Sequence, residues 1–202
     1  DASKSRGLGD VYKRQIFPAP FVIHYLSWIT PNKNETLSSY ALRMCKRVKH
    51  SNPILLGVSF GGLLVQEMAK LIVVDKVVIV SSIKLNKELP IPMKLAKKTN
   101  GHKLLPTQWI NSIDALALFT FGEGIRKRLE LYQKYLSERD PHYLSWAIDK
   151  LVRWNQNYTL NNIIHVHGKK DTVFPIKNLK QPLLKIEGGH AAIITNAKWF
   201  NS

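Results

Sequence analysis

One stretch of twelve residues, Ile54-Leu55-Leu56-Gly57-Val58-Ser59-Phe60-Gly61-Gly62-Leu63-Leu64-Val65, restricts the possible folds of this chain more than any other. It opens behind Pro53 as a short apolar run, the pattern of a buried strand. It continues through Leu63, Leu64, Glu67, Met68 and Leu71 with the spacing of a helical face. Between strand and helix lies Gly57-x-Ser59-x-Gly61, followed by Gly62. A serine at so sharp a reversal is held in a strained backbone conformation that pushes its hydroxyl out of the sheet. Strand and helix then cross so closely that only small residues are expected two positions either side. The reading is a nucleophile elbow, weighed against a glycine-rich turn with no chemistry.

Composition bounds the remainder. At 202 residues, 45% hydrophobic and 22% charged, the chain is a globular sequence with room for one sizeable core. No apolar run approaches the roughly 18 residues of a membrane helix, so no span is expected. The single cysteine, Cys45, excludes an internal disulfide, falls on an apolar helical face and fits a reducing, cytoplasmic compartment. The charge is unusual: 30 Lys and Arg against 14 Asp and Glu, a net +16. Such a surface favours acidic partners, anionic substrates or anionic membranes; a lysine-rich solvated surface is the simpler reading. The basic residues are dispersed, and no zinc-finger, nucleic-acid-binding or Gly-x-x-x-x-Gly-Lys pattern accompanies them, so no nucleic-acid partner is expected.

Residues 1–15 read as foreign. Ser5-Arg6-Gly7-Leu8-Gly9-Asp10-Val11-Tyr12-Lys13-Arg14-Gln15 resembles a translated frame of the adaptor used in transposon-based sequencing libraries. Native sequence is expected from near Ile16.

From there, strands and helices alternate. Phe21–Tyr25 is expected as a strand carrying His24. Leu37, Tyr40, Ala41, Met44, Cys45 and Val48 recur at helical spacing behind Asn34 or Thr36 as N-cap. The Ile54 strand and its helix follow, then a buried strand over Lys76–Ser82. Near-continuous apolar strands separated by helices predict an α/β fold, a mostly parallel sheet with helices on both faces, which binds ligands at the carboxyl ends of its strands. That core covers 16–82 and 160–202. Over 83–159 the alternation stops, and helices at 109–121, 125–136 and 142–154 predict a helical cap insertion. Trp109, Phe119, Phe121, Trp146 and Trp154 either line a pocket beneath it or fill the core. The alternation resumes with strands at Ile163–His167 and Pro182–Ile186 and a closing helix from Ala191 to Phe200.

Three chemistry-bearing side chains fall just past three strand ends, in the order Ser59, Asp171, His190. Gly57-Val58-Ser59-Phe60-Gly61-Gly62, His167-Gly168-Lys169-Lys170-Asp171 and Glu187-Gly188-Gly189-His190 together resemble the elbow, the acid turn and the histidine loop of the α/β-hydrolase family, most closely its compact single-domain members. The resemblance spans nearly all residues after 15. It implies Ser59 as nucleophile, His190 as base and Asp171 as the acid orienting it. The residue chemistry asks for the same, because a serine hydroxyl attacks only when a base takes its proton. His167 is read as structural, and His50, His102 and His142 as turn residues. Some family members carry the acid after the preceding strand, but Ser81-Ser82-Ile83-Lys84 offers none. The histidines and Cys45 show no metal-ligand spacing, so neither metal nor cofactor is expected.

The resemblance places one oxyanion donor on the Phe60 backbone N–H and the second on a loop after a strand earlier than Phe21–Tyr25. That strand would lie inside the sheet, between the Phe21 and Ile54 strands. With residues 1–15 foreign, both are expected to be absent and the chain as written to fold poorly with little activity. Gly7-Leu8-Gly9 happens to resemble the glycine-rich oxyanion loops of such enzymes. The expected substrate is a small acyl compound, foremost a carboxylic ester. The alternatives are a thioesterase or acyltransferase serving an acidic carrier, on the strength of Lys84, Lys87, Lys94, Lys97, Lys98 and Lys103, or a catalytically silent member that binds a ligand.

Overall fold

The structure, a computed structural model of the chain, describes residues 21–99 and 141–200. The sequence-predicted adaptor-like segment, the Gly7-Leu8-Gly9 stretch, His102, Lys103 and the helices at 109–121 and 125–136 lie outside them, as do the side chains at 98, 99 and 141.

Among the described residues, four strands form one parallel sheet in the order β1-β2-β3-β4. They are β1 (Ile54–Val58), β2 (Lys76–Val80), β3 (Ile163–Gly168) and β4 (Leu184–Ile186). The register runs Leu55 beside Val77, Val77 beside Ile163, and Val166 beside Leu184. All four point the same way, so their carboxyl ends share one rim. Helix α1 (Leu37–Cys45) and helix α2 (Phe60–Met68) cover one face. Side chains alternate along a strand, so Leu55, Val77 and Ile79 enter the main core with Tyr40, Met44, Leu63 and Met68. On the other face, Val80, Val166 and Ile186 meet Ala192 and Ile193, with Leu56, Val58 and Val78 half-buried at its margin.

Helix α1 starts where its N-cap chemistry places it. Thr36 accepts the Ser39 N–H at 3.1 Å, satisfying one of the donors a helix start leaves open. Asn34 sits two residues earlier at φ 60°. Cys45 is buried, and burial raises its thiol pKa, in keeping with an inert core residue.

Phe21–Tyr25 forms no strand. Phe21 and Val22 are 56% and 77% exposed, and among the described residues no strand stands on the open side of β1. A strand exists through its ladder, so an apolar run without a neighbour stays irregular. His24 accordingly lies outside the sheet, stacked on the His50 ring at 4.3 Å.

Of the expected 83–159 insertion, the two ends are described. They carry helix α3 (Ile91–Thr99) and helix α4 (Pro141–Arg153). His142, expected in a turn, lies in the first turn of α4, which Pro141 heads, a position where a missing N–H costs nothing. Trp146 and Trp154 are core residues: their indole N–H groups donate to the Glu35 carbonyl and the Glu67 carboxylate, each at 2.8 Å. The closing helix is two short pieces, α5 (Ala192–Thr195) and α6 (Ala197–Phe200). Asn196 breaks it, with its side-chain amide turned back to the Glu187 and Ala192 carbonyls.

Candidate active site

Ser59 occupies the turn from β1 into α2 with φ 53° and ψ −120°, a strained conformation for a residue with a side chain. Its backbone is fixed from three sides. Its N–H donates to Val80 O (3.0 Å), and its carbonyl accepts from Gly62 N–H (2.9 Å) and from the Ser82 hydroxyl (2.7 Å). Phe60 is the first residue of α2, so its N–H has no intrahelical acceptor.

The steric expectation for the glycines holds at one position and moves at another. A Cβ on Gly57 would lie 2.1 Å from Gly61 O, so strand and helix do touch there. A Cβ on Gly61 would meet only the Trp28 ring, at 3.8 Å, an ordinary contact. The second position that excludes a side chain is Gly62, where a Cβ would lie 2.3 Å from Ser82 Oγ. Ser82 is invisible in the motif because it reaches Gly62 from the loop after β2.

Asp171 follows β3 and His190 follows β4, and the two loops are stitched together. Lys169 N–H donates to Ile186 O and Lys170 N–H to Gly188 O, each at 2.9 Å. Gly188 adopts φ 109°, open to glycine alone without strain. Gly168 lies so close to this loop that a Cβ would be 2.5 Å from Gly189 O.

The outcome is a continuous chain of contacts at the rim. His190 Nε2 lies 2.9 Å from Ser59 Oγ, and His190 Nδ1 lies 3.0 Å from Asp171 Oδ2. The Asp171 side chain is fully buried, while that of His190 is 10% exposed. Burial acts to raise the Asp171 carboxyl pKa. Hydrogen bonds from His167 and His190 outweigh burial and hold it well below the usual carboxylate range. Asp171 is thus an anion at neutral pH, facing the imidazole edge away from Ser59.

Lys84 departs from its expected place on a basic surface. It is 1% exposed, with its ammonium directed at the Lys180 and Pro182 carbonyls. Burial lowers its pKa. Glu88 fastens the same loop, accepting from the backbone N–H groups of Lys84 (2.6 Å), Leu85 (3.1 Å) and Lys180 (2.7 Å). Lys87, Lys94 and Lys97 are exposed. Among the described residues, no group of three or more His, Cys, Asp or Glu side chains is placed to hold a metal ion, and no helix is long and apolar enough to cross a membrane.

No family model matches the sequence, and no curated relative is similar to it. Solved structures do resemble it. A lipase-esterase related protein from Clostridium acetobutylicum matches with a TM-score of 0.55 at 19% identity, over 82% of this chain and 73% of that one. An esterase from Exiguobacterium antarcticum matches with a TM-score of 0.55 at 17% identity, over 82% and 71%. A bromoperoxidase from Bacillus anthracis matches with a TM-score of 0.54 at 17% identity, over 81% and 70%. At such identities the likeness concerns architecture alone, since one fold hosts many chemistries. The chain has an α/β fold whose structural neighbours are α/β-hydrolases.

Proposed function

We propose that this chain is a serine hydrolase that cleaves carboxylic esters or related acyl compounds through an acyl-Ser59 intermediate. The observation that carries the reading is one imidazole, His190, within hydrogen-bond reach of both the Ser59 hydroxyl and the Asp171 carboxylate. Asp171 accepts the Nδ1–H, which leaves the Nε2 lone pair facing Ser59. As the Ser59 oxygen attacks the acyl carbon, its proton passes to Nε2, and Asp171 stabilises the imidazolium that forms. The carbonyl oxygen takes up the negative charge and is met by the Phe60 N–H. When the tetrahedral intermediate collapses, the bond to the leaving oxygen breaks, and that oxygen takes the proton from Nε2. Water then attacks acyl-Ser59 by the same sequence, giving the free acid and restoring the hydroxyl. The elbow supports the assignment: backbone strain at a residue with a hydroxyl is a cost that structure alone does not require.

The test is pre-steady-state hydrolysis of p-nitrophenyl acetate. A burst of about one nitrophenol per chain, lost in Ser59→Ala, is the expected outcome. Turnover that survives Ser59→Ala contradicts the reading.

A second reading is favoured by the net charge of +16: a thioesterase or acyltransferase whose acyl group rides on an acidic carrier. Exposed Lys87, Lys94 and Lys97 remain to receive such a carrier, whereas buried Lys84 does not. Activity on carrier thioesters that falls steeply with salt, beside salt-insensitive activity on nitrophenyl esters, separates this reading from the first.

A further inference from the structure

The Asp171 carboxylate has more partners than the proposed hydrolysis uses. Oδ1 accepts the backbone N–H groups of Val173 (2.8 Å) and Phe174 (3.0 Å). Oδ2 faces two imidazoles, His190 Nδ1 at 3.0 Å and His167 Nε2 at 3.2 Å. His167 is fully buried near the end of β3, and the steps above leave it idle.

Its protonation can be read from its neighbours. His167 Nε2 also lies 2.8 Å from the Phe174 carbonyl oxygen. A carbonyl only accepts, so this nitrogen carries a proton, and the same N–H is shared with Asp171 Oδ2. At the opposite corner of the ring, Nδ1 lies 3.2 Å from His165 Nε2, the two rings standing edge to face at 88°. A neutral ring protonated on Nε2 leaves Nδ1 bare, and an N–H on His165 Nε2 fills it. His165 is itself held neutral, burial being the largest of the causes that push its pKa down to about 3.

We propose that His167 is a positioning residue for the hydrolysis: a neutral imidazole, protonated on Nε2 and locked in that tautomer by His165, that fixes the Asp171 carboxylate and draws part of its charge away from His190. The proposal rests on the serine-hydrolase reading. Its consequence is electrostatic. A carboxylate that already accepts from His167 stabilises the His190 imidazolium less than an unshared one. The sharing thus limits how far Asp171 favours the protonated ring over the form that accepts the Ser59 proton. Removing the shared donor leaves the whole carboxylate charge facing His190 and strengthens the Asp171–His190 pair. The titratable groups bearing on His167 are His165 on its own strand, Asp171 on the loop after β3 and His190 on the loop after β4. Lys84, on the loop after β2, acts through His165.

The test is the pH profile of kcat/KM on p-nitrophenyl acetate for the parent chain, His167→Phe and His167→Gln. For His167→Phe we expect kcat to fall about tenfold, equivalent to about 1.4 kcal/mol, with KM within about twofold. The acid limb should move to higher pH. His167→Gln, which returns an N–H to the same place, should bring the limb back to the parent position. A limb that stays put in His167→Phe while activity falls only as far as the folded fraction means that His167 merely packs, and overturns the proposal. The second measurement needs no variant: 15N spectra of the imidazoles in the parent chain should show His167 neutral and protonated on Nε2 between pH 5 and 8. A charged ring, or one protonated on Nδ1, also overturns it. A parent chain that gives no acyl-enzyme contradicts the hydrolase reading instead, and the 15N spectra still decide the state of His167.

Discussion

At the β1–β2 end of the rim, Ser59 is held by shape and by hydrogen bonds to groups that do not ionise. Gly57 and Gly61 are in backbone contact, Gly62 abuts Ser82, and the turn is wound to φ 53°. At the β3–β4 end, Asp171 and His190 are held by hydrogen bonds: two amide donors and two imidazoles on one carboxylate, and two backbone bonds tying the acid turn to the histidine loop. Shape is insensitive to pH and fails abruptly when an atom is added. Hydrogen bonding to ionisable groups follows pH and fails by degrees. The rim thus sets a shape-held serine beside a hydrogen-bonded carboxylate and imidazole.

The largest effect expected of this contrast comes from Gly57→Ala. The added methyl would lie 2.1 Å from a backbone oxygen that has nowhere to go. A loss of about 3 kcal/mol or more is expected, or about 6–12 °C in melting temperature by calorimetry. Gly62→Ala comes next, at about 1–3 kcal/mol, because its clash is with the Ser82 side chain. Adding Ser82→Gly should return part of that loss in a double-mutant cycle, and strict additivity would show that the two do not meet.

The hydrogen-bonded end should respond to pH instead. His165 has its folded pKa depressed to about 3, below an unfolded value of about 6.5. The unfolded chain therefore binds the extra proton between these values, and stability falls as pH drops from about 6.5, by up to roughly 1.4 kcal/mol per unit. Asp171 has the opposite chemistry and the same sign. Its depressed carboxyl pKa contributes stability that is present above about pH 4 and lost below it. Melting curves from pH 7 to 5 should thus decline before the carboxylates titrate, and His165→Gln, which keeps an N–H, should flatten that decline. The smallest effect belongs to Gly61→Ala. With only the Trp28 ring at 3.8 Å, it should change stability by less than about 0.5 kcal/mol.

The same division explains what the sequence disclosed. The strand–turn–helix around Ser59 was legible because its requirements are local: small residues at fixed offsets and a switch of period from strand to helix. Helix α1 was legible from Tyr40, Ala41 and Met44 on one face and Thr36 before it. The Lys76 strand was predicted two residues too long because Ser81 turns away at φ 48°, a conformation no propensity announces. Phe21–Tyr25 has strand composition without a strand beside it, and pairing is not a property of a segment. Lys84 reads as surface in any pattern, yet its ammonium finds two carbonyls nearly a hundred residues away. His165 and His167 alternate with Ile164 and Val166 like any strand. That one imidazole lies behind the acid, and the other behind it, depends on where the loop after β3 returns.

Mapping the adduct of a fluorophosphonate probe by mass spectrometry asks whether Ser59 is the activated nucleophile. The prediction is a single phosphonylated residue, Ser59, with labelling abolished in Ser59→Ala and slowed by about a hundredfold or more in His190→Ala, as general-base assistance is worth. A probe that leaves Ser59 unmodified in the folded chain, or labels it at the same rate without His190, would contradict the account.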